Sequence, residues 1–532
     1  MTIKRIARLA LTILLAACCA FGTAFAADDD VTGHWSEPYF RSLSAHGVIN
    51  ANGRGQFTPS AEISRAEFMR YINRAFGFTE TADISQYTDV GEDQWYYESV
   101  CIAVKYGYIS GLSDTEMAPN TSITREQAVT ILGRLCKAEV GSVTPSQLSF
   151  SDKSSVATWS APYIQWAVEN NYVSGYTDGT FQPKRGVTRA EAAKILYFFT
   201  GSLLDQSGAI YNSSSLNQDT KNVTVTSACT LSDVTIPGNL YISEGINQSA
   251  VTLTNVTVQG RLIAAGGTLL LSNVTAKELY ISSPFTDRSI GITASGTTSV
   301  GKVTVMSAAT LTQSSVQASG LGTVQVYSDQ NAPLVLSGRF SSVTLNGQNR
   351  LTLSSGSYVD SLTVKGAATI DGLGTIQNAV FEAAGAVSAV EPQNYSFNQG
   401  ASATIQGAPV STDRNQPTSS IQGQGAASNS GTTVSGGSAG LVTQSVTFSN
   451  TAGNAANRNV TIDLRIDNSV VVQAVLLDGA QLTMGTDYTI SGTQVVLYRA
   501  SLDTLTAGHT GTMQIALLLS NGGQLTVPMT LV

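Results

Sequence analysis

One four-residue phrase occurs three times and constrains the first third of the chain. It reads Ser64-Arg65-Ala66-Glu67, then Thr124-Arg125-Glu126-Gln127, then Thr188-Arg189-Ala190-Glu191. The arginines are 60 and 64 residues apart, and Trp35, Trp95 and Trp159 precede them at the same step. Two independent markers keeping one period point to a tandem triplication. Ser or Thr followed three residues later by Glu or Gln is a capping box, in which each side chain satisfies a backbone N–H at the start of a helix. Behind the first box, Phe68, Ile72, Ala75 and Phe76 fall at helical spacing. Ser64, Glu67, Thr124, Gln127, Thr188 and Glu191 are therefore expected as helix caps.

The arginine is not explained by capping. At the first helical position it meets the positive end of the helix dipole. An arginine on a helix N-terminus makes a receptor for an anion. The competing reading is a solvated arginine paired with a nearby carboxylate. Three copies in register favour anion binding by Arg65, Arg125 and Arg189. Trp35, Trp95 and Trp159 are expected either to shape the grooves or to fill core.

Residues 28 to 201 resemble three S-layer homology (SLH) repeats. The third copy carries the fullest pattern: Phe150 and Asp152, Trp159, then Gly175-Tyr176-Thr177-Asp178-Gly179-Thr180-Phe181, Pro183 and the phrase at Thr188. The first copy has Asp30-Val31, His34-Trp35, Gly47, Phe57 and Pro59; the second has Tyr87, Asp89-Val90, Trp95, Gly107, Gly111 and Pro119. The resemblance implies an α-helical pseudo-threefold spindle, with repeats at 28–82, 83–144 and 145–201. It also implies binding of a secondary cell-wall polysaccharide linked to peptidoglycan, commonly pyruvylated. Its carboxylate would meet the motif arginine, with Asp178 and Gly179 also binding the glycan and aromatic faces against sugar rings. The best-matched groove is the one containing Arg189.

Residues 1–26 read as a secretory signal peptide: Lys4, Arg5 and Arg8, an apolar run, and Ala24-Phe25-Ala26 as a cleavage site. A rival signal, Leu15-Ala16-Ala17-Cys18, would place a lipid on Cys18. No other stretch is long and apolar enough to span a bilayer. Beyond the leader only Cys101, Cys136 and Cys229 remain, too few for a disulfide framework. Cys101 and Cys136 fall in the two helices expected for the second repeat, where core filling competes with pairing. A net charge of −8 with 12% charged residues gives no basic face for nucleic acid.

From about residue 205 helical periodicity stops. Asp233-Val234-Thr235 recurs as Asn255-Val256-Thr257 and Asn273-Val274-Thr275, and strand centres fall at Val303, Val324, Val343, Leu362 and Val380. Short strands at a period near twenty indicate a parallel β-helix, or solenoid, over 205–410; an antiparallel sandwich is the alternative. A loop through Pro284, Phe285 and Asp287 is expected where the interval widens. The acids of this segment are thinly spread, with Asp360 and Asp371 the pair that stacking could bring closest. No histidine lies between His46 and His509. No catalytic residues, metal ligands or cofactors are therefore assigned.

Residues 411–440 are rich in Ser, Gly, Gln, Asn and Thr, a flexible linker spanning roughly 30 Å root-mean-square. About seven short strands follow between 441 and 532, which suggests a β-sandwich. The run Leu482 to Gly492, with Leu502, Leu505 and Gly508, resembles the immunoglobulin-like module of clostridial cellulases and scaffoldins. That resemblance implies a spacer or a weak cell-wall contact. Tyr488 is expected inside the sandwich and His509 in a loop. The whole reads as a secreted, wall-anchored surface protein, with no partner assigned to 205–532. A wall-anchored polysaccharide-degrading enzyme with its site on the β-helix, or an adhesin or S-layer lattice subunit, are the rival readings.

Overall fold

The computed structural model describes residues 30–411 and, beyond them, segments between 439 and 531. Residues 1–29 with Cys18, residues 412–438, and in the last domain Gly479, Thr483 to Thr486, Gly492, Gly508, His509, Gly522 and Gly523 lie outside the described residues. Two compact units result, Met1–Pro417 and Thr418–Val532.

The first unit begins with six helices in three short–long pairs: α1 (Glu37–Ala45) with α2 (Arg65–Ala75), α3 (Tyr97–Lys105) with α4 (Arg125–Leu135), and α5 (Ala161–Glu169) with α6 (Arg189–Thr200). Each long helix opens on a complete capping box, Ser64 with Glu67, Thr124 with Gln127 and Thr188 with Glu191. The residue just before each box builds the axis. Ile63 N–H donates to Val187 O (2.9 Å), Val187 N–H to Ile123 O (3.0 Å), and Ile123 N–H to Ile63 O (3.2 Å). All three side chains are fully buried. This closed ring of backbone hydrogen bonds requires all three repeats at once, so a single repeat cannot satisfy its own backbone.

The solenoid follows without a spacer. α6 ends at Gly201 (φ +66°), and the next three residues, Ser202–Leu204, form the first rung. Rungs then stack in parallel register for about 11 turns. In one column Val223, Leu240, Leu262, Leu279, Val303, Val324, Val343 and Leu362 lie one above another. Alternate residues point inward, so each turn adds a layer of small aliphatic core. The recurring Asp/Asn-Val-Thr phrase is a corner. Asp233, Asn255 and Asn273 all take left-handed backbone (φ +56°, +55°, +57°), which these side chains tolerate better than most. Their side chains form a ladder, Asn255 Nδ2 to Asp233 Oδ1 and Asn273 Nδ2 to Asn255 Oδ1, both 2.9 Å. At the far end the antiparallel pair Ser402–Ile405 and Ala408–Ser411 caps the open edge.

Spindle and solenoid share one core. Leu203, Tyr241, Ile263 and Phe285 are buried among helical side chains. The loop through Pro284 and Asp287 is the docking element: Phe285 packs edge-on against Tyr106 (5.2 Å) and Arg288 Nη2 donates to Glu80 Oε2 (2.6 Å). Asn222 Nδ2 reaches Tyr172 Oη (2.9 Å), and Ser243 Oγ donates to Phe76 O (2.6 Å). A Cβ on Gly201 would stand 1.9 Å from Asn222 O. Gly201→Ala is therefore expected to cost at least about 2 kcal/mol, read as a lower midpoint in urea followed by near-UV circular dichroism. An unchanged midpoint would mean that the junction yields.

In the second unit two sheets face each other. One pairs Ala439–Leu441, Val460–Ile466, Gln494–Leu497 and Tyr488–Ser491; the other pairs Val446–Phe448, Gln524–Leu531, Gly511–Leu519, Val472–Leu477 and Ala480–Gln481. Tyr488 is buried in their common core. The three described cysteines are unpaired, Cys101 and Cys229 buried and Cys136 partly so.

Candidate functional site

The N-termini of the three long helices do not offer free N–H groups. Arg65, Arg125 and Arg189 N–H donate to Thr121, Arg185 and Ala61 carbonyls at 2.8, 3.0 and 2.8 Å. Ala66, Glu126 and Ala190 N–H donate to Pro119, Pro183 and Pro59 carbonyls. The third N–H in each helix belongs to the capping box. An anion would have to be met by side chains.

The motif arginines run sideways into the neighbouring repeat. Arg65 is 3% exposed; its Nε donates to Met117 O (3.1 Å) and its Nη2 to Ser110 O (3.0 Å). Arg125, 6% exposed, donates to Ser174 O (2.7 Å) and lies over the rings of Tyr176 and Phe181 at 4.9 and 4.8 Å. Burial lowers the pKa of both guanidinium groups. Arg189 donates to Thr58 Oγ1 (2.6 Å) and pairs with Glu67 of the first capping box. The tryptophans, in contrast, are not core: Trp35, Trp95 and Trp159 are 54, 53 and 46% exposed.

Two cavities bring these groups together. One, of about 430 Å³, is lined by Arg65, the loop from Tyr106 to Leu112, the α4 residues Gln127, Thr130 and Arg134, and Trp159. The second, of about 230 Å³, is lined by Arg125, the loop from Tyr172 to Tyr176, the α6 residues Glu191 and Lys194, and Trp35. The pattern is the same in both. An arginine from one repeat, a loop and long helix from the next, and a tryptophan from the third make a groove. The remaining set is Arg189, α2 and Trp95; Glu67 of α2 pairs with Arg189 and Arg70 of α2 stacks on Trp95 at 4.5 Å. Asp178 and Gly179 sit apart from the cavity walls. Asp178 accepts from Thr180 N–H (2.9 Å) and Oγ1 (2.6 Å), and Gly179 takes φ +80°, so together they form an exposed turn.

The grooves differ in charge. Glu191 accepts from Tyr176 Oη (2.6 Å) and pairs with Arg185, so the second groove carries an internal carboxylate. Burial pushes that carboxyl up, but hydrogen bonds from Tyr176, Thr188 N–H and Arg185 outweigh it and hold the pKa below the usual glutamate range. A depressed carboxyl stabilises the fold above its unfolded pKa and loses that contribution as pH falls through the folded value. Glu191→Gln should therefore flatten part of the acid side of a stability–pH profile; an unchanged profile would refute it. In the first groove the same position is Gln127, which removes the carboxylate. Arg70, Thr130 and Lys194 occupy one helical position, five residues after each motif arginine, and sequence reasoning overlooked them; reading the face of the helix from the box would have found them.

Three interlocked repeats, grooves at their seams and an appended β-solenoid define the class of the first unit. The repeats are three S-layer homology domains, matched at residues 28–69, 86–129 and 149–193, and residues 441–527 match the carbohydrate binding domain X2. Among similar proteins, the surface-layer 125 kDa protein of Lysinibacillus sphaericus is 33% identical over 29% of this chain and 13% of its own length. An endoglucanase of Bacillus sp. (strain KSM-635) is 31% identical over 32% of this chain and 18% of its own. The cellulosome-anchoring protein of Acetivibrio thermocellus is 27% identical over 27% and 33%. The chain thus spans a third or less of these relatives. Among the described residues no helix is long and apolar enough to cross a membrane, and no group of three or more His, Cys, Asp or Glu side chains could hold a metal.

Proposed function

We propose that this protein is held non-covalently on the bacterial cell wall by its S-layer homology domains, which bind an acidic, pyruvylated secondary cell-wall polysaccharide, while the solenoid and β-sandwich act as spacer and display surface. The supporting observation is the repeated groove: a motif arginine and a half-exposed tryptophan from different repeats in one cavity. The groove beside Arg65 is the leading site. Its volume falls in the range of about 300–1,000 Å³ usual for small-ligand sites, and it lacks the carboxylate that faces Arg125 or Arg189. Sequence similarity favoured the Arg189 copy, but there Glu67 already occupies the guanidinium. Surface-layer and cellulosome-anchoring proteins among the relatives fit the anchoring role. The segments assigned are a leader at 1–26, repeats at 28–82, 83–144 and 145–201, a solenoid at 205–410, a linker at 411–440 and a sandwich at 441–532.

The solenoid acids favour display over catalysis. Asp360 pairs with Arg339 (2.5 Å) and Asp371 with Arg350 (3.0 Å), each partner lying 21 residues earlier. Asp371 also accepts from Thr352 Oγ1 (2.6 Å). Glu278 is held by Arg261 and Lys302 at 3.0 and 3.1 Å. These ladders read as rung-to-rung neutralisation. The test is co-sedimentation of the full chain with native sacculi and with sacculi stripped of accessory polysaccharide. Binding should be retained on the first and lost on the second. Equal binding to both would refute polysaccharide recognition, and absence of binding to either would refute anchoring.

A further inference from the structure

The groove beside Arg65 has one lining residue that does not come from the helical repeats: Glu244 of the solenoid, which meets Lys137 of the second repeat, just beyond α4. We propose that the solenoid completes this groove, and that Glu244 is a positioning residue that fixes the Lys137 ammonium at its inner end as a contact for an acidic polymer. This rests on the anchoring proposal above.

The local chemistry is asymmetric. Glu244 begins the 3-10 turn Glu244–Ile246 and is 2% exposed. One carboxylate oxygen lies 3.5 Å from Lys137 Nζ and the other accepts from Tyr241 Oη. A buried carboxylate is costly without a cation, and Lys137 is the ion-pair partner the structure provides. Tyr241, Cys136 and Tyr106 are the titratable groups that complete its surroundings. Lys137 is gripped at its backbone as well. Its φ is +52°, and its carbonyl accepts from Arg261 Nη1 of the solenoid (2.7 Å). A free lysine is a mobile, hydrated point charge; this one is held at both ends. Its side chain keeps 20% exposure and lines the cavity. An ammonium has three donors, so it can serve Glu244 and a ligand together. The groove then presents Arg65, Arg134 and Lys137 against one buried carboxylate, an excess of positive charge suited to a polyanionic glycan. Anchor and display module would then form one binding unit.

The experiment uses the full chain and native sacculi at several salt concentrations. Lys137→Gln should lower affinity about fivefold and flatten the salt dependence. Glu244→Gln should give a similar loss, because the ammonium is released from its place. Lys137→Arg should retain most of the affinity. The double variant Glu244→Gln/Lys137→Gln removes both charges, keeps the buried region neutral, and should bind like Lys137→Gln alone. The proposal is overturned if Lys137→Gln and the double variant bind as wild type with unchanged salt dependence. Failure of the wild type to bind native sacculi would instead sink the anchoring reading itself.

Discussion

Trp159→Ala should weaken binding of the full chain to native sacculi about thirtyfold and leave its thermal unfolding unchanged, whereas Arg65→Ala should weaken both. The contrast follows from burial. Trp159 is about half exposed and lines the larger cavity, so truncation removes an aromatic face from a ligand without opening the core. Aromatic anchors of this kind are worth about 2 kcal/mol in binding, which is roughly thirtyfold. Arg65 is buried, and its removal strands the Met117 and Ser110 carbonyls. Stranding two buried acceptors and emptying the site of a large side chain costs about 3 kcal/mol. Loss of binding in Arg65→Ala alone would therefore not identify a ligand contact. Arg134 lines the same cavity and is exposed, so Arg134→Gln gives a cleaner test of charge, with a loss of binding and little change in stability. If Trp159→Ala binds as wild type, this groove is not the site.

The fold was legible wherever a local rule repeats. The capping boxes, the twenty-residue period and the alternating strands of the last domain each follow from one backbone geometry used many times. The phrase Asp/Asn-Val-Thr marked turns because a corner residue must take left-handed backbone. The site was legible only in part. Period and motif placed the arginines and tryptophans in equivalent positions, but the destination of a long side chain depends on a neighbour 45 to 131 residues away, as with Arg65 to Ser110 and Arg189 to Thr58. The helix N-termini illustrate the same gap. From sequence they are open anion sites; in three dimensions the next repeat's loop fills them. The contribution of the solenoid was invisible for this reason too, since Glu244 and Lys137 belong to segments of different periodicity and meet only through docking. The widened interval around Phe285 was the one sequence trace of that docking.

Asp89→Ala should destabilise the first unit by about 3–5 kcal/mol, more than any surface substitution in the spindle, and Asp89→Asn by about half as much. The aspartate is a backbone clamp. Its two oxygens accept from the consecutive N–H groups of Met117 (2.9 Å) and Ala118 (2.6 Å). Asp30 does the same for Phe57 and Thr58, and Asp152 for Phe181 and Gln182. In each pair the second residue, Thr58, Ala118 or Gln182, is forced into left-handed backbone (φ +50°, +54°, +55°), a conformation unfavourable for a side chain with Cβ. A carboxylate satisfies both donors at once; an asparagine must turn its amide toward one of them, which accounts for the intermediate cost. The clamp matters beyond its own loop. The loop segment it holds supplies Met117 O to Arg65 Nε, Pro119 O to Ala66 N–H and Thr121 O to Arg65 N–H. Asp89 also partly offsets the burial penalty on the Arg65 charge. Releasing the clamp should unseat Arg65, so Asp89→Ala should bind sacculi less tightly even at temperatures where its helices persist. Thermal melts of Asp30→Ala, Asp89→Ala and Asp152→Ala, each followed by far- and near-UV circular dichroism, provide the check. Losses of similar size at all three positions would confirm that one clamp supports each groove, and a loss below about 1 kcal/mol at Asp89 would show that the loop is held by its neighbours instead.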